Sequence, residues 1–548
     1  MVRRTMRTTT TPNASRAIHL DPAAAATRET VPCYDSATGE LLGHVPAMSR
    51  DEVVAAVERG RIAQRAWAQT SFKARRRVLR DVLAHIVDNQ DEICRLAARD
   101  SGKTMVDAAL GELFATCEKL RWVMQNGEQA LRPQGRASGP LLLHKRGWVE
   151  YQPLGVVGVI APWNFPFHNL FGPTIPALFA GNAVVAKVSE HSSWSAADYV
   201  DIFQRALREN GHSPDLVQVV TGYGETGAAL VGSGVDKVFF TGSPQNGKKV
   251  MAEASKTLTP VVLELGGKDP MIVLDDADLE QAVGTALLGV YTACGQMCVG
   301  AERIVVQDGI YQRFVDRVVE RVAALRQGAP LAAPANTDVG AMTMPGQLEI
   351  IDTLVKDAVA RGARVLAGGE RNTDQAHPQF YKPTVLVDVT PDMRIAREET
   401  FGPVMTIMRF SSDDEALRIA NDCAYGLGSS ILSKNLRRAE KLARQVSAGM
   451  TVINDYGLAY MMQSLPFGGV RISGFGKING VEGMRACCLQ KAIVTDRLPL
   501  HRDLSFYPIH GDSFPRLRES IRLVYGRGIL QRARAAAALI GQLVRPRG

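Results

Sequence analysis

The chain has 548 residues, of which 46% are hydrophobic and 22% are charged. This composition excludes a disordered chain, and the length predicts two or more globular domains. Eight irregularly spaced cysteines do not form a disulfide framework and indicate reduced thiols, and no run of 18 apolar residues predicts a transmembrane helix. We therefore expect a cytoplasmic protein.

The positive charge is concentrated at one end of the chain. The net charge is +8, and residues 515–548 contain eight Arg and one Glu, a net charge of +7, which leaves +1 for all other residues. A basic tail on a nearly neutral body indicates positive charge confined to one part of the surface, and it argues against a nucleic-acid-binding domain.

Residues 1–30 are predicted to form a flexible N-terminal arm. They are rich in Arg and Thr and contain no acidic residue before Asp21. A transit peptide is the alternative on composition, whereas the apolar centre of a secretory signal is missing.

Short apolar runs alternate with helical patterns over most of the chain. The first set of predicted strands covers residues 155–163, 182–189, 216–222, 237–242 and 260–267, with helices such as 191–210 and 244–257 between them. The second set covers 271–274, 303–306, 384–389, 404–410 and 450–455. Such strands predict two α/β lobes with doubly wound parallel sheets, divided near Gly266-Gly267, and residues 488–501 could form an extended arm.

Two glycine-containing turns are candidate nucleotide sites. "GYGETG" (222–227) fits the dinucleotide pattern, but such strand-to-helix turns are common. In "FTGSPQNGKKV" (240–250), Ser243 has the chemistry of an N-cap and Pro244 that of the first helical residue. The free N–H groups of such a helix suit a pyrophosphate, and an ordinary capped helix is the alternative.

Lys187 and Glu190 end a predicted strand in "AKVSE". A carboxylate there can bind both ribose hydroxyls and repel a 2′-phosphate, which favours NAD over NADP, and a surface salt bridge is the alternative. Asn164 in "APWNFPF" stands between two prolines that fix an extended backbone. Its amide can face a developing oxyanion or simply stabilise a turn.

Three acidic or thiol-bearing segments complete the set. Glu264 lies inside the apolar strand of "LELGGK" and is a candidate general base, unless it pairs with Lys268 or a backbone amide. Cys294 and Cys298 lack a second Cys/His pair, so no metal site is predicted. The segment "EETFGPV" (398–404) contains Glu399 and Phe401 but predicts no particular function by itself.

Taken together and in this order, these segments resemble the aldehyde dehydrogenase superfamily over most of residues 31–500. The resemblance includes "PWNFP", "FTGS", "LELGGK", "GQMC", "ETFGP" and "PFGGVRISGFGK" (466–477). The 34 residues from Glu264 to Cys298 are the interval that this family uses.

The resemblance implies an NAD-dependent enzyme that oxidises an aldehyde to a carboxylic acid. Cys298 would be the nucleophile that forms a thiohemiacetal and then a thioester, Asn164 the oxyanion donor, and Glu264 the base that activates water. The implied cofactor-binding residues are Trp163, Lys187, Glu190, Gly224, Gly242, Ser243, Glu399 and Phe401. A CoA-acylating semialdehyde dehydrogenase and a non-catalytic relative are the alternatives, and the presence of Glu264 counts against the first.

The resemblance also implies a domain plan. Residues 31–265 would form the NAD-binding domain, interrupted near 138–153 by a segment of a small β oligomerisation arm, and residues 266–487 the catalytic domain. Residues 488–502 would complete the arm of a homodimer or homotetramer, and 503–548 would be a basic extension.

Three departures from the family concern details of binding. Pro244-Gln245-Asn246 replaces a more usual pair of residues, Gly172 stands where some relatives have Trp, and Met461-Met462 lie in a variable loop. A roomier apolar tunnel, and hence a medium or long aliphatic or an aromatic aldehyde, is expected.

In the tail, Arg527, Arg534 and Arg545 share one helical face, opposite Ile529, Ala533, Ala536, Ile540 and Val544. This pattern predicts a helix that lies on an anionic membrane, or one that docks on the protein body or a neighbouring subunit. Cys294 is expected to be a packed thiol, one helical turn before Cys298, and an oxidative disulfide between the two is a further hypothesis.

Overall fold

The computed structural model describes residues 28–139, 142–333, 336–497, 507 and 509–544, with side chains described to residue 541. The N-terminal arm predicted over residues 1–30 therefore lies almost entirely outside the described residues, as do residues 498–502 of the predicted oligomerisation arm and Arg545.

Eighteen strands and eighteen α-helices are present in the described residues. The strands β1 to β18 are Thr30–Tyr34, Leu41–Pro46, Gln134–Arg136, Lys145–Pro153, Val156–Ala161, Ala183–Val188, Val217–Val220, Lys237–Gly242, Val261–Leu265, Pro270–Val273, Arg303–Gln307, Arg364–Ala367, Thr384–Val387, Val404–Phe410, Ser430–Leu432, Val452–Ile453, Gly474–Phe475 and Cys488–Asp496. The helices α1 to α18 are Arg50–Ala68, Phe72–Asp88, Gln90–Ser101, Met105–Ala108, Ala115–Ala130, Pro166–Ala180, Ala196–Glu209, Gly224–Val231, Pro244–Ser255, Leu279–Tyr291, Asp308–Ala323, Pro345–Ala360, Asp413–Asn421, Leu436–Ala443, Leu458–Met461, Gly480–Ala486, Ser513–Tyr525 and Ile529–Val544. A π-helix, Ala109–Phe114, joins α4 to α5.

The first large sheet has the strand order β17-β9-β8-β5-β6-β7. All neighbouring pairs are parallel except β17 with β9. The chain runs outward from β5 through β6 to β7 and then returns to β8 on the other side of β5. The carboxyl ends of β5 and β8 thus form a topological switch point, where open α/β sheets bind ligands.

The second large sheet has the order β12-β13-β14-β11-β10-β15-β16 and is parallel except at the edge strand β12. Its central strands read as continuous apolar runs because both faces are buried, as in Ile304, Val305 and Val306 of β11. The chain passes from the first sheet to the second across Gly266-Gly267, between β9 and β10.

Both sheets belong to one compact unit, formed by the described residues of 1–131 and 153–489. The predicted fold class, α/β with two doubly wound parallel-sheet lobes, is confirmed. The strands lie within a few residues of their predicted positions because buried parallel strands are signalled by local sequence.

A second unit comprises the described residues of 132–152 and 490–548. Strands β3 and β4, with most of β18, form its three-stranded sheet in the order β18-β4-β3. The unit also contains the helices α17 and α18, with Gly526 and Gly528 between them. No helix in the described part of the chain has the length and hydropathy needed to cross a bilayer.

The predicted helical turn between Cys294 and Cys298 is wrong. Residues Thr292–Gly295 form a short 3₁₀ segment in which Ala293 and Cys294 have φ angles of 51° and 57°. Gly295 follows with a φ of 72°. Three consecutive left-handed residues turn the chain sharply after α10, and this conformation is strained for the two residues that carry a Cβ.

Candidate active site

A groove of about 1160 Å³ lies at the carboxyl ends of the strands of the first sheet. Lys187 in β6 and Glu190, which follows this strand, line the groove together with Gly224 at the start of α8 and Lys249 on α9. The Lys187 Nζ lies 3.3 Å from the Glu190 Oε2, so a salt bridge, the alternative to a ribose-binding role, is present in the groove. The ammonium is buried while the carboxylate is one-third exposed.

Ser243 caps the helix α9 beside this groove. Its side chain accepts the Asn246 N–H at 3.3 Å, and Pro244 is the first helical residue. Pro244 has no N–H to lose, so the first turn is formed without an intrahelical bond from that residue. Gly242 precedes the cap, where an added Cβ would lie 2.7 Å from the Phe240 ring.

Glu264 is buried in β9 with 3% of its surface exposed, and neither carboxylate oxygen has a hydrogen-bond partner among the described residues. Burial raises the pKa of this carboxyl to about 7, and the neighbouring Cys298 thiol lowers it in part. The alternative in which Lys268 pairs with Glu264 is wrong, because the Lys268 ammonium donates to Glu302 and to the Thr400 hydroxyl. The Glu264 carboxyl therefore gains or loses its proton near neutral pH, as a general base requires.

The two glycines after Glu264 allow three segments to meet. A Cβ on Gly266 would lie 2.2 Å from the Glu399 carboxylate, and a Cβ on Gly267 would lie 2.3 Å from the Cys298 carbonyl oxygen. The Gly267 N–H also donates to the Glu399 Oε1 at 2.8 Å. No other residue type would let these backbones approach so closely.

Cys298 follows the strained turn and lies beside Glu264. Burial raises the pKa of this thiol well above its usual value, and the Glu264 carboxylate raises it further. The thiol is thus protonated, and a base has to remove its proton before sulfur can attack. Cys294 is fully buried in the apolar core of the second lobe, in keeping with the packed thiol that was predicted.

Asn164 lies in the turn after β5 and is 5% exposed. Its Nδ2 donates to the carbonyl oxygen of Gln296 at 2.9 Å, which fixes the side chain next to the segment that carries Cys298. The Asn169 amide donates to the Asn164 Oδ1 at 3.2 Å. A side-chain amide has two N–H groups, so one N–H of the Asn164 side chain remains free to donate to a further acceptor.

Glu399 and Phe401 enter the site on the loop before β14. The Phe401 ring meets the Trp163 ring edge to face, with centroids 5.5 Å apart, and Phe401 has a φ of 50°. Glu302 holds this loop by accepting the N–H groups of Thr400 and Phe401 at 2.7 and 2.8 Å. The structure thus brings Asn164, Glu264, Cys298, Glu399, Phe401 and Trp163 together, and it places Lys187, Glu190 and Gly224 along the groove, with Gly242 and Ser243 at the adjoining helix start.

The expectation of extra space beside Gly172 is not met. A Cβ on Gly172 would lie 3.6 Å from the His168 ring, and the Tyr460 ring packs against His168 at a centroid distance of 5.4 Å. The cavity that these residues line is only about 10 Å³. The room that glycine leaves is thus taken by another aromatic side chain.

Sequence reasoning did not find four buried groups around the site: Lys103, Glu112, His168 and Glu302. Each is at most 5% exposed. A charged or imidazole side chain in an apolar stretch could have marked Glu112 and His168, whereas Lys103 and Glu302 have polar neighbours in the chain. Such a pattern does not predict the hydrogen-bond or ion-pair partner of the side chain, because that partner can lie in a distant part of the chain.

Comparison with known proteins identifies the family. The sequence model of the "Aldehyde dehydrogenase family" matches residues 23–493. The chain belongs to this family. An aldehyde dehydrogenase-like protein of Schizosaccharomyces pombe is 40% identical over 471 residues, which are 85% of this chain and 90% of that protein. The 4,4'-diapolycopene aldehyde oxidase of a Methylomonas species is 35% identical, over 92% and 93% of the two chains.

Solved structures of related enzymes have the same fold. The NAD-dependent aldehyde dehydrogenase of Sinorhizobium meliloti has a TM-score of 0.81 and 34% identity, over 87% of this chain and 93% of its own. An NADP-dependent enzyme of E. coli has a TM-score of 0.80 and 31% identity, over 85% and 95%. The chain is thus an NAD(P)-dependent oxidoreductase that acts on aldehydes.

The groove fits such a cofactor. A Cβ added to Gly224 or Gly227 would meet no atom within 4 Å, so the backbone of α8 faces open space. A buried ammonium, a partly exposed carboxylate and a helix N-terminus lie along the same groove, and these are the groups that hold ribose and pyrophosphate.

Proposed function

We propose that Cys298 is the nucleophile of this aldehyde dehydrogenase and that Glu264 is its general base. As sulfur bonds to the aldehyde carbon, Glu264 accepts the thiol proton and the carbonyl oxygen becomes an oxyanion. The free N–H of the Asn164 amide and the Cys298 backbone N–H bind that oxyanion. The observation that carries this proposal is the buried, unpartnered Glu264 carboxylate beside the Cys298 thiol.

Bound NAD(P) supplies the acceptor for the two electrons and the hydrogen that leave the thiohemiacetal carbon. The product on the protein is a Cys298 thioester. Glu264, after losing its proton to solvent, takes a proton from water as the water oxygen attacks the thioester carbon. The carbon–sulfur bond then breaks, the carboxylic acid leaves, and the Cys298 sulfur takes the proton back from Glu264. Glu399, Phe401 and Trp163 would hold the nicotinamide end of the cofactor, and Gly242 and Ser243 the pyrophosphate.

NAD is the preferred cofactor in this proposal. The Glu190 carboxylate stands at the end of β6, held 3.3 Å from the Lys187 ammonium, where it can accept hydrogen bonds from both hydroxyls of the adenosine ribose. A 2′-phosphate at the same position would face this negative charge. Glu190→Gln should therefore reduce the ratio of kcat/KM for NAD to kcat/KM for NADP, and an unchanged ratio would reject this role.

The substrate is proposed to be a medium or long aliphatic aldehyde or an aromatic one. Aromatic rings of His168, Tyr460 and Phe467 pack on one another beside the site. Exposed apolar side chains also lie on the π-helix and on and directly after α15, with Leu110, Phe114, Leu458 and Met462 all more than two-fifths exposed. A relative named for an apolar aldehyde, 4,4'-diapolycopene aldehyde, is in keeping with this class.

One assay tests the reaction and the substrate class together. NADH formation is measured with acetaldehyde, hexanal, dodecanal, benzaldehyde and an aminoaldehyde, with and without CoA, for wild type and Cys298→Ala. We expect CoA-independent turnover that is highest for dodecanal or benzaldehyde and is lost in Cys298→Ala. Full activity in the variant contradicts the mechanism, a requirement for CoA indicates the acylating alternative, and a preference for acetaldehyde contradicts the substrate class.

The second unit is proposed to serve assembly. β18 is an edge strand whose side chains are mostly exposed, including Val494 at 65%. Exposed edge strands pair readily with another chain. The first lobe, residues 31–265, would be the NAD-binding domain and residues 266–487 the catalytic domain of a homodimer or homotetramer. The Val494→Pro substitution should prevent pairing through β18, so the mass of this variant in light scattering should fall to that of the 59.4 kDa monomer.

The basic tail is proposed to rest on an anionic membrane surface. Phe514, Tyr525, Ile529 and Leu530 each have at least 65% of their surface exposed. Arg527, Arg532 and Arg534 are exposed as well and form no ion pair with a described residue. Apolar side chains next to unpaired arginines suit the boundary between lipid headgroups and acyl chains.

A further inference from the structure

Lys103 and Glu112 form an ion pair that is wholly removed from solvent. Both side chains are 0% exposed, and the Lys103 Nζ lies 2.6 Å from the Glu112 Oε1. Burying two charges costs more free energy than the pair returns in many proteins, and replacing such a pair by apolar residues is often neutral. Stability alone therefore does not account for these two side chains.

Each member of the pair also holds the turn that carries Asn164. The Lys103 Nζ donates to the backbone carbonyl oxygen of Asn164 at 2.6 Å and lies 3.8 Å from the centre of the Phe165 ring. The Glu112 Oε2 accepts the backbone N–H of His168 at 2.8 Å. The pair thus fixes both ends of the segment 164–168, which runs from the turn after β5 into the first turn of α6.

Glu112 replaces the cap that α6 lacks. The residue before this helix is Phe165, which makes no side-chain cap bond, and the first N–H groups of a helix have no intrahelical acceptor. The carboxylate at His168 satisfies one of them, and its charge suits the positive end of the helix dipole.

The π-helix places Glu112 in this position. Residues Ala109–Phe114 insert a wider turn between α4 and α5, and such turns are frequent at functional sites. Gly111 lies against Phe165, because a Cβ there would be 2.2 Å from the ring. The local distortion therefore brings the carboxylate to the start of α6 while leaving room for the ring next to Asn164.

We propose that the Lys103–Glu112 pair is a positioning device for Asn164, which sets the direction of its free amide N–H toward the oxyanion. This inference rests on the proposed function, since it assigns a support to the proposed oxyanion donor. The pair touches neither substrate nor cofactor and acts through Asn164. Lys103 holds the peptide of Asn164, while the Gln296 carbonyl holds its side chain.

A double-mutant cycle tests the proposal. Lys103→Met combined with Glu112→Gln removes both charges at once, so that neither is left unpaired. We expect kcat to fall 10- to 100-fold with little change in the KM for aldehyde or in the Kd for NAD. In an Asn164→Ala background, the same pair of substitutions should lower kcat less than threefold further, because the group through which it acts is gone.

Arg75→Met is the matched control. Arg75 is a buried cation of the same lobe that donates to the carbonyl oxygens of Phe179 and Ala68, away from the site, so its loss should lower the melting temperature and leave kcat unchanged. Lys103→Gln with Glu112→Gln, which keeps a donor and an acceptor in place, should recover most of the lost kcat and serves where the first variant does not fold.

The outcomes separate this inference from the proposed function. Activity that persists in Cys298→Ala overturns both. Loss of activity in Cys298→Ala together with an equal effect of the pair in wild type and in Asn164→Ala overturns the positioning role alone. A fall in kcat of similar size in Arg75→Met, or no recovery with the glutamine pair, also overturns it.

Discussion

Glu264 and Cys298 differ from ordinary side chains of their types because Glu264 is buried and Cys298 is partly buried beside it. Burial favours the neutral form of each group, so the pKa of the carboxyl rises to about 7 and that of the thiol rises well above its usual value. The carboxyl then changes its charge in the physiological range, where a general base is most effective.

The first prediction concerns the pH dependence of the reaction. Because the proposed base is the ionised carboxyl, kcat should rise as the pH passes about 7 and should be level above it. Glu264→Gln should lose this rise and lower kcat by about 100-fold or more. The measurement is NADH formation from pH 5.5 to 9, and a variant that keeps the wild-type profile would assign the titration to another group.

The second prediction concerns stability at the same residue. The pKa of Glu264 is higher in the folded chain than in the unfolded chain, so the folded state binds the proton more tightly. Its stabilising effect is complete below the unfolded value of 4.5 and is lost as the pH rises through about 7. Glu264→Gln should therefore be more stable than wild type at pH 8, by about 3 kcal/mol at most.

Melting temperatures at several pH values provide the measurement. The advantage of Glu264→Gln should shrink as the pH is lowered toward 4.5, where both proteins carry a neutral group at this position. An advantage that does not change with pH would mean that better packing of the amide, and not the buried charge, is responsible.

At the scale of elements, the site is assembled where loops from both lobes meet. The carboxyl ends of β5 and β9 supply Asn164 and Glu264, the turn after α10 supplies Cys298, and the loop before β14 supplies Glu399 and Phe401. The turns at Gly266 and Gly295 bring them together, since a Cβ at either one would overlap a neighbouring loop.

The third prediction concerns the loop before β14. Glu302 accepts two of its N–H groups and pairs with the buried Lys268 ammonium. Glu302→Gln leaves that ammonium without a counter-charge, which should cost about 3–5 kcal/mol of unfolding free energy. We also expect a raised KM for NAD, because the position of Phe401 is no longer fixed.

The control for this prediction is Glu280→Gln, which removes one carboxylate from the exposed pair with Arg317. Exposed pairs contribute little, so neither the melting temperature nor the KM should change measurably. The melting temperature and the KM for NAD are measured for both variants. Equal changes in Glu302→Gln and Glu280→Gln would contradict the role of Glu302 in holding the loop.

At the scale of the whole molecule, the two α/β lobes form one unit and the small sheet with the tail forms a second. The helices α17 and α18 of the second unit expose apolar side chains and arginines together. The amphipathic helix expected in the tail corresponds to α18, and α17 precedes it with Gly526 and Gly528 between the two.

The fourth prediction is that the tail binds anionic lipid. Full-length protein should float with vesicles of phosphatidylcholine and phosphatidylglycerol and should not float with phosphatidylcholine alone, whereas a chain ending at residue 505 should float with neither. Ile529→Ser with Leu530→Ser should weaken binding at all salt concentrations, while Arg527→Glu with Arg534→Glu should abolish it. Equal partitioning of the full-length and truncated proteins would reject the membrane role of the tail.

The sequence by itself determined the α/β fold and the two sets of strands, and it singled out the residues that we propose to react. It could do so because buried parallel strands are continuous apolar runs, and because an isolated carboxylate such as Glu264 inside one of them is conspicuous. The family resemblance then supplied roles for Cys298 and Asn164 that spacing alone left open.

Only the tertiary structure decided which groups meet. In the folded chain Lys268 pairs with Glu302, and the His168 ring lies beside Gly172. Lys103, which pairs with Glu112, donates a hydrogen bond to the backbone of Asn164. These contacts join residues that are far apart in the chain or depend on a π-turn and on left-handed backbone angles. Local patterns do not encode such pairings, because they form only when the packed lobes bring buried charges within hydrogen-bonding distance.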